Sequence, residues 1–290
     1  MNARNSTMRL FQMNGCGNRF AMLDARPGRL ALSASQVSLA AGAAQGGVNH
    51  AGADQVIALE PSRDASADIF MRIWNADGSE VDACGNATRC AAWLIMEERG
   101  KETATIETGA GLLSAWRAGP MRVSVDMGRP GLDWTQIPLA EELDTRRMEL
   151  EIGPRGAPIL HTPGAVSMGN PHCVFFVDDV NAINIPAVGP MVENHPLFPE
   201  RVNVGFAQIL SRNEVRLRVW ERGAGLTLAC GTGACAALVA GVRRGLLDRK
   251  AVLHLDGGDL DIEWRADDDH VIMTGPIELE RESAIAFAAV

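Results

Sequence analysis

Apolar and polar residues alternate along short runs of this chain, and that period predicts β-strands over much of its length. The clearest runs lie at 70–74, 113–117, 121–127, 173–177, 214–220, 251–256 and 260–264. Two stretches have a helical period instead. In the first, the residues Ala87, Cys90, Ala91, Leu94 and Ile95 form one apolar stripe, and Gly100 is expected to end the helix. The second, at 234–242, is apolar around most of its circumference, so we expect it to be buried on nearly every side.

The chain contains an internal repeat. The segments "FMRIWNADGSEVDACG" (70–85) and "RLRVWERGAGLTLACG" (216–231) align without a gap, and an Arg, a β-branched residue, a Trp and an Ala-Cys-Gly coincide. Because the offset is about half of the 290 residues, we interpret the repeat as a duplication that gave two similar domains. Many strands around one enclosed helix in each half predict an α+β fold of barrel-like sheets. A hinge is expected near 127–131, and the segment 284–290 either returns to the first half or ends as a frayed tail.

Composition excludes several classes of function. A hydrophobic content of 47% and a charged content of 22% are typical of a soluble globular protein. The net charge of −9, without a cluster of Lys and Arg, argues against a nucleic-acid partner. The first fifteen residues lack an apolar core, and no window is long and apolar enough to cross a bilayer. We therefore expect no secretion signal, no membrane partner and a cytoplasmic location.

The six cysteines are expected to be free thiols in a reducing compartment. Packing is the ordinary use of such a residue, and we keep that interpretation for Cys16, Cys90 and Cys173. The spacings 84/90 and 230/235 fit no zinc or iron–sulfur pattern, so no metal site is expected. The glycine-rich segment 40–55 has no phosphate-loop ending and is either a lid or a loose loop.

Two cysteines, Cys84 and Cys230, lie where the two predicted helices begin. A helix N-terminus leaves amides unpaired and carries a partial positive charge, so it favours an anion such as a carboxylate. Gly85 and Gly231 leave room for a ligand, and Asn86 and Thr232 are residue types that cap helices. We expect the same charge to lower the thiol pKa. If the halves face each other, a thiol and a thiolate meet across one carbon, which is the arrangement for inverting a stereocentre.

Polar residues near the second cysteine are weaker candidates on residue type alone. Arg222 is able to bind a second carboxylate of a substrate, but a surface ion pair is an equal alternative. Asn170 and His172 lie in a Gly/Pro-containing segment, where a lone histidine is more often solvated.

Taken together these motifs resemble the diaminopimelate epimerases. The resemblance runs in the family's order through "NGCGNRF", "GADQ", "NADGSEVDACGNATRC", "GAVSMGNPHC", "PERVNVGF" and "ERGAGLTLACGTGACAA". It implies two pseudo-symmetric domains of mixed sheet wrapped around a central helix, a homodimer, and catalysis without a cofactor. The domains are predicted at 1–128 with 277–290 and at 129–276.

The resemblance also assigns roles to residues. It implies that Cys84 and Cys230 are the two acid/base residues and that His172 and Glu221 tune the thiols. Substrate-binding positions are implied at Asn18, Gln55, Asn75, Gly85, Asn86, Asn170, Asn203, Glu221, Arg222, Gly231 and Thr232. The expected reaction interconverts LL- and meso-diaminopimelate in lysine and peptidoglycan-precursor biosynthesis.

The chain departs from the family's frequent residues at Asn14, Arg19, Ala87 and Leu226, although no matched thiol or ligand is lost. A racemase of another amino acid, such as proline or hydroxyproline, is the nearer alternative. A thiol redox or metal-binding protein is the alternative from another class, and no Cys-x-x-Cys motif supports it.

Overall fold

The computed structural model describes residues 7–43, 52–154 and 156–287. The chain divides into two compact units, Met1–Val125 with Gly275–Val290 and Asp126–Thr274. We call them unit 1 and unit 2. The domain boundaries drawn from the sequence stay a prediction.

In its described residues, unit 1 is a mixed sheet with two helices. Its strands are β1 (Thr7–Gly15), β2 (Asn18–Asp24), β3 (Gln55–Glu60), β4 (Ile69–Asn75), β5 (Glu80–Val81), β6 (Thr103–Thr108), β7 (Gly111–Gly119), β8 (Arg122–Asp126) and, at the end of the chain, β19 (Glu278–Ala286). Its helices are α1 (Ala34–Ala43) and α2 (Gly85–Arg99). Successive strands pair antiparallel, except that β2 pairs parallel with β3 and β4 pairs parallel with β6.

The end of the chain returns to unit 1, as one of the two sequence alternatives proposed. Strand β19 pairs antiparallel with β1, from Thr7 opposite Ala286 to Asn14 opposite Glu278. The last residues of the predicted closing segment, 288–290, lie outside the described residues. Half of the segment 40–55, residues 44–51, likewise lies outside the described residues.

Unit 2 repeats this order. Its strands are β9 (Glu151–Ile152), β10 (Leu160–His161), β11 (Gly164–Ser167), β12 (Pro171–Phe176), β13 (Asn203–Ser211), β14 (Glu214–Glu221), β15 (Gly225–Thr227), β16 (Lys250–Leu255), β17 (Gly258–Trp264) and β18 (Val271–Pro276). Its helices are α3 (Ile185–Glu193) and α4 (Gly231–Arg243), and β9 and β10 form a separate two-stranded ladder.

The strands β11 to β18 of unit 2 pair in the same sequence of orientations as β1 to β8 of unit 1. The pairs β12–β13 and β14–β16 are parallel and the others are antiparallel. Counted from β1 in unit 1 and from β11 in unit 2, the fifth strand is short and the next element is a helix. Helix α2 follows β5, and helix α4 follows β15. The shared topology supports the interpretation of the sequence repeat as a duplication.

The two helices predicted from the sequence are confirmed, and so are all seven predicted strands. Helix α2 buries its predicted apolar stripe and ends at Gly100, whose φ of 60° lies in the left-handed region that favours glycine. In α4 every residue from Gly233 to Gly241 is buried, and the helix contacts β11, β12, β13, β14, β16 and β17. Each unit is therefore an α+β sheet wrapped around a central helix.

Candidate active site

Both units gather polar side chains at the same points of their topology. In unit 1, Asn18 begins β2, Gln55 begins β3 and Asn75 ends β4. Parallel pairing of β2 with β3, and antiparallel pairing of β3 with β4, bring these three strand ends to one edge of the sheet. In unit 2 the matching points are taken by Asn170 just before β12, Asn203 at the start of β13 and Glu221 at the end of β14.

The polar residues of unit 1 form two hydrogen-bonded pairs. The Asn86 side-chain amide donates to Asn18 Oδ1 at 2.5 Å, which ties the first turn of α2 to the start of β2. Gln55 Nε2 donates to Asn75 Oδ1 at 3.1 Å, between residues that lie opposite each other on β3 and β4. Asn86 is 2% exposed, and its Oδ1 has no hydrogen-bond partner among the described residues. A buried, unpaired acceptor is costly and is therefore expected to meet a donor from a ligand.

Each sequence-predicted cysteine is the N-cap residue of its helix. Cys84 precedes α2 with φ −148° and ψ 110°, and Cys230 precedes α4 with φ −128° and ψ 106°. Asn86 and Thr232, although of residue types that cap helices, lie one residue inside each helix. The Cys230 sulfur itself accepts a hydrogen bond from the Gly233 amide at 3.4 Å and lies 3.6 Å from Thr232 Oγ1.

His172 is fully buried in β12, which excludes the alternative that it is a solvated turn residue. Its Nε2 is 3.0 Å from Asn170 Oδ1, and its Nδ1 has no hydrogen-bond partner among the described residues. Because Asn170 Oδ1 is an acceptor, Nε2 carries the proton and Nδ1 presents a lone pair. Burial, and then the positive charge of Arg222, lower the pKa of His172 to about 3. The imidazole is therefore neutral at physiological pH.

Asn170 and Asn203 connect this histidine to the helix and to β14. Asn170 Nδ2 donates to Thr232 Oγ1 at 3.3 Å, which joins the turn before β12 to the first turn of α4. Asn203 lies opposite His172 in the β12–β13 pair and is 4% exposed. Its side chain donates to the Pro171 carbonyl at 2.9 Å and accepts from the Arg222 amide at 3.0 Å.

Glu221 is the acidic residue next to the Cys230 thiol. Its carboxylate accepts a hydrogen bond from Thr227 Oγ1 at 2.5 Å and lies close enough to Cys230 to affect the pKa of the thiol. Burial raises the pKa of Glu221. Burial, and then the negative charge of Glu221, raise the pKa of Cys230 well above its usual value. Burial and the carboxylate together therefore favour the protonated form of the sulfur.

The expectation of a lowered pKa is wrong for Cys230. The Gly233 amide and the Thr232 hydroxyl do favour the thiolate, as the helix N-terminus predicts. They are outweighed because Cys230 is only 5% exposed, and because the end of β14 brings a carboxylate to the sulfur. The sequence did not reveal the second effect, since it depends on the fold of β14 and β15.

Arg222 has no ion-pair partner within the described ranges. One guanidinium nitrogen donates to the Glu200 carbonyl at 2.9 Å, and the backbone amide is held by Asn203. The alternative of a surface ion pair is therefore not what the structure has. A guanidinium held by one carbonyl keeps further donors available for a carboxylate.

The remaining cysteines are packing residues in the described structure. Cys90, Cys173 and Cys235 are completely buried, and Cys16 is 4% exposed. Burial raises the pKa of Cys90 to about 12 and that of Cys173 well above its usual value. Complete burial and a raised pKa agree with a packing role for Cys90 and Cys173.

A family model described as diaminopimelate epimerase matches residues 10–132 and 164–280. The chain belongs to the diaminopimelate epimerase family. It is 56% identical to a diaminopimelate epimerase of Caulobacter vibrioides, over 93% of this chain and 94% of the relative. It is 52% identical to a diaminopimelate epimerase of Acidiphilium cryptum, over 94% of this chain and 95% of the relative. Diaminopimelate epimerases interconvert the LL and meso forms of their substrate, and the chain is accordingly an isomerase of lysine biosynthesis.

Solved structures agree on the fold at low sequence identity. A hydroxyproline epimerase from Agrobacterium vitis, with bound trans-4-hydroxy-L-proline, superposes with a TM-score of 0.66 at 17% identity. That comparison covers 99% of this chain and 94% of the other. The diaminopimelate epimerase fold is thus shared with epimerases of other amino acids, and the fold alone does not choose the substrate.

Within the described residues no helix is both long and apolar enough to span a membrane.

Proposed function

We propose that this protein interconverts LL- and meso-diaminopimelate by a two-cysteine acid/base mechanism that needs no cofactor, in the cytoplasm and as a homodimer. The observation that carries the proposal is the repeated local geometry of Cys84 and Cys230. Each is an N-cap residue with nearly the same extended backbone, at the same point of the same strand order. A reaction that removes a proton from one face of a carbon and returns one to the other face needs two such groups.

The chemistry proceeds in two proton transfers. One cysteine, as thiolate, removes the α-proton, and the electron pair remains on the α-carbon and its carboxylate. The other cysteine, as thiol, then donates its proton to the opposite face. The configuration is inverted, the first cysteine is left as thiol and the second as thiolate, and the reverse reaction starts from that state.

The substrate α-carboxylate is assigned to the helix N-termini. The first amides of α2 and α4, at Gly85–Asn86 and Gly231–Thr232, have no carbonyl partner within their own helix. Amide donors and the positive end of the helix dipole stabilise the negative charge that develops on this carboxylate when the proton leaves. A glycine directly follows each cysteine, Gly85 in α2 and Gly231 in α4. Because glycine has no side chain, it leaves these backbone amides accessible to the substrate.

Glu221 and His172 are assigned to controlling the Cys230 proton and holding the substrate. The negative charge of the Glu221 carboxylate acts on the thiol, and we assign to this carboxylate the task of taking and returning the proton of Cys230. His172 is neutral, so it acts by hydrogen bonding and not by charge. Its unpaired Nδ1 is a suitable acceptor for a substrate ammonium group.

The other end of the substrate is assigned to the remaining polar residues. Diaminopimelate carries a second carboxylate and a second ammonium group. Arg222 supplies donors for the carboxylate, and the side chains of Asn18, Gln55, Asn75, Asn170 and Asn203 supply amide oxygens and nitrogens. A proline-type substrate lacks the distal groups, so this set favours diaminopimelate over the related racemase substrates.

The test measures exchange of the substrate α-hydrogen in deuterium oxide. Wild-type protein, C84A, C230A and the buried-cysteine control C90A are each incubated with LL-diaminopimelate and, separately, with trans-4-hydroxy-L-proline. We expect wild type and C90A to convert the first substrate only, and both other variants to lose epimerisation. Epimerisation by C84A or C230A at the wild-type rate contradicts the two-cysteine mechanism. Faster turnover of trans-4-hydroxy-L-proline than of LL-diaminopimelate by the wild-type protein contradicts the proposed substrate.

A further inference from the structure

The turn at the end of β14 carries the two charged residues of the candidate site in unit 2, Glu221 and Arg222, and it is held by a third charged residue. Glu193, in the last turn of α3, is 6% exposed. Its Oε2 accepts a hydrogen bond from the Trp220 indole at 2.7 Å, and its Oε1 accepts one from the Gly223 amide at 2.9 Å. Arg201 donates to the same Oε1 at 3.2 Å.

These contacts bracket Glu221 and Arg222 along the chain. Trp220 immediately precedes the pair and Gly223 immediately follows it. A single carboxylate therefore fixes both ends of a segment whose two middle side chains point to other partners, Thr227 in one case and the Glu200 carbonyl in the other. Gly223 has a φ of 78°, a left-handed conformation that the hydrogen bond to its amide helps to hold.

Helix α3 is placed against this turn by close packing. A Cβ on Gly189 would come within 2.6 Å of Trp220 Cγ, so only glycine lets the helix approach the indole this closely. A negative charge in the last turn of a helix is unfavourable with respect to the helix dipole. That cost is offset by the three groups that donate hydrogen bonds to Glu193, which belong to Arg201, Trp220 and Gly223. These bonds use both oxygens of the carboxylate.

We propose that Glu193 is a positioning residue for the epimerisation, acting through Trp220 and Gly223 on Glu221 and Arg222. This inference rests on the proposed function. An amide at position 193 has one acceptor in place of two, so either the indole or the Gly223 amide must lose its bond. Loss of a hydrogen bond to a buried charged acceptor corresponds to about a 10- to 100-fold change in the equilibrium constant for forming the bonded arrangement.

The experiment compares E193Q with wild type, with E214Q, with W220F and with the double variant E193Q/W220F. Glu214 is the matched control, an exposed carboxylate at the opposite end of the same strand. For each folded protein, kcat/KM is measured with LL-diaminopimelate, and the melting temperature is recorded. The ¹⁵N–¹H signal of the Trp220 indole, assigned by its loss in W220F, reports on the hydrogen bond in the free enzyme.

We expect E193Q to lower kcat/KM by about tenfold or more and to shift the Trp220 indole proton upfield, while E214Q changes neither. The double variant is expected to be less impaired than the product of the two single effects, because both act through one contact. A folded E193Q with wild-type kcat/KM overturns the inference. If E193Q does not fold, W220F provides the test in its place. A wild-type kcat/KM in W220F also overturns the inference. Absence of turnover in the wild-type protein would instead contradict the proposed function itself.

Discussion

The sulfur of Cys230 accepts a hydrogen bond from the backbone amide of Gly233, so a thiol occupies the place that a serine or aspartate oxygen usually takes at a helix start. An amide donor favours the thiolate, but burial and the Glu221 carboxylate act in the opposite direction and prevail. Burial and Glu221 therefore both favour the protonated thiol.

Replacing Glu221 by glutamine is expected to slow epimerisation by about 100-fold, because the group that takes the thiol proton is lost. The same change is expected to stabilise the fold at neutral pH. Burial raises the pKa of Glu221, so the folded state holds that proton to higher pH than the unfolded chain, and the stability this group contributes is lost as pH rises from about 4.5 through the folded pKa. Melting temperatures at pH 5 and pH 8 should show E221Q gaining on wild type at the higher pH. A wild-type advantage at pH 8 would contradict this account.

Alkylation of Cys230 by iodoacetamide at pH 8 is expected to be at least about tenfold slower than alkylation of a free cysteine, because little thiolate is present. Low exposure also slows the reaction, so E221Q serves as the comparison with unchanged access. Peptide mass spectrometry should find faster modification of Cys230 in E221Q than in wild type. Equal rates would mean that Glu221 does not raise the pKa of the thiol.

The buried neutral His172 should make the protein sensitive to acid. The unfolded chain gains a proton at this group below about pH 6.5, but the folded state gains it only near a pKa of about 3, so stability falls on acidification through that window. Between pH 6.5 and 4.5 the loss from this group amounts to about 2 kcal/mol. In urea unfolding, H172Q should lose about that much less than wild type over the same range. H161Q alters an exposed histidine and should follow wild type.

Two glycine-to-alanine changes should have opposite effects on stability. G189A is expected to destabilise the protein by about 1–3 kcal/mol, because the new Cβ would come within 2.6 Å of Trp220. Gly42 lies in α1 with no atom within 4 Å of its would-be Cβ, so G42A should stabilise by about 0.5–1 kcal/mol through helix propensity. Denaturant midpoints of the two variants measure both effects. A midpoint of G189A equal to that of wild type would argue against close packing of α3 on the Trp220 indole.

Much of the fold could be predicted from the sequence because local patterns and tertiary structure agree there. The strand-period runs and the two helices after the cysteines depend on residues close together in the chain, and all of them are found. Helix α3 was not predicted, and its sequence gives a weak helical signal because it contains Pro186 and Pro190, although the first lies in the opening turn, where proline is tolerated. The β1–β2 turn was missed because Cys16, with a φ of 59°, occupies a conformation that glycine or asparagine usually takes.

The chemistry of the site could be predicted only in part. Residue types at the two helix starts indicated the cysteines, and the resemblance supplied the other positions. The pKa directions could not be predicted, since they depend on how β12, β14 and β15 bury His172, Glu221 and Cys230 together. Glu193 carried no sequence signal, because its role depends on donors 27 and 30 residues away along the chain.

Helix α4 is enclosed by six strands and exposes almost nothing of its middle turns to solvent. Its backbone amides should exchange with deuterium only when the whole of unit 2 opens, which makes it the slowest-exchanging segment of that unit. Cys230 is attached to the end of this segment. The position of the sulfur is therefore set by the most rigid segment of the unit. Thermal motion of the loops of unit 2 should scarcely displace it.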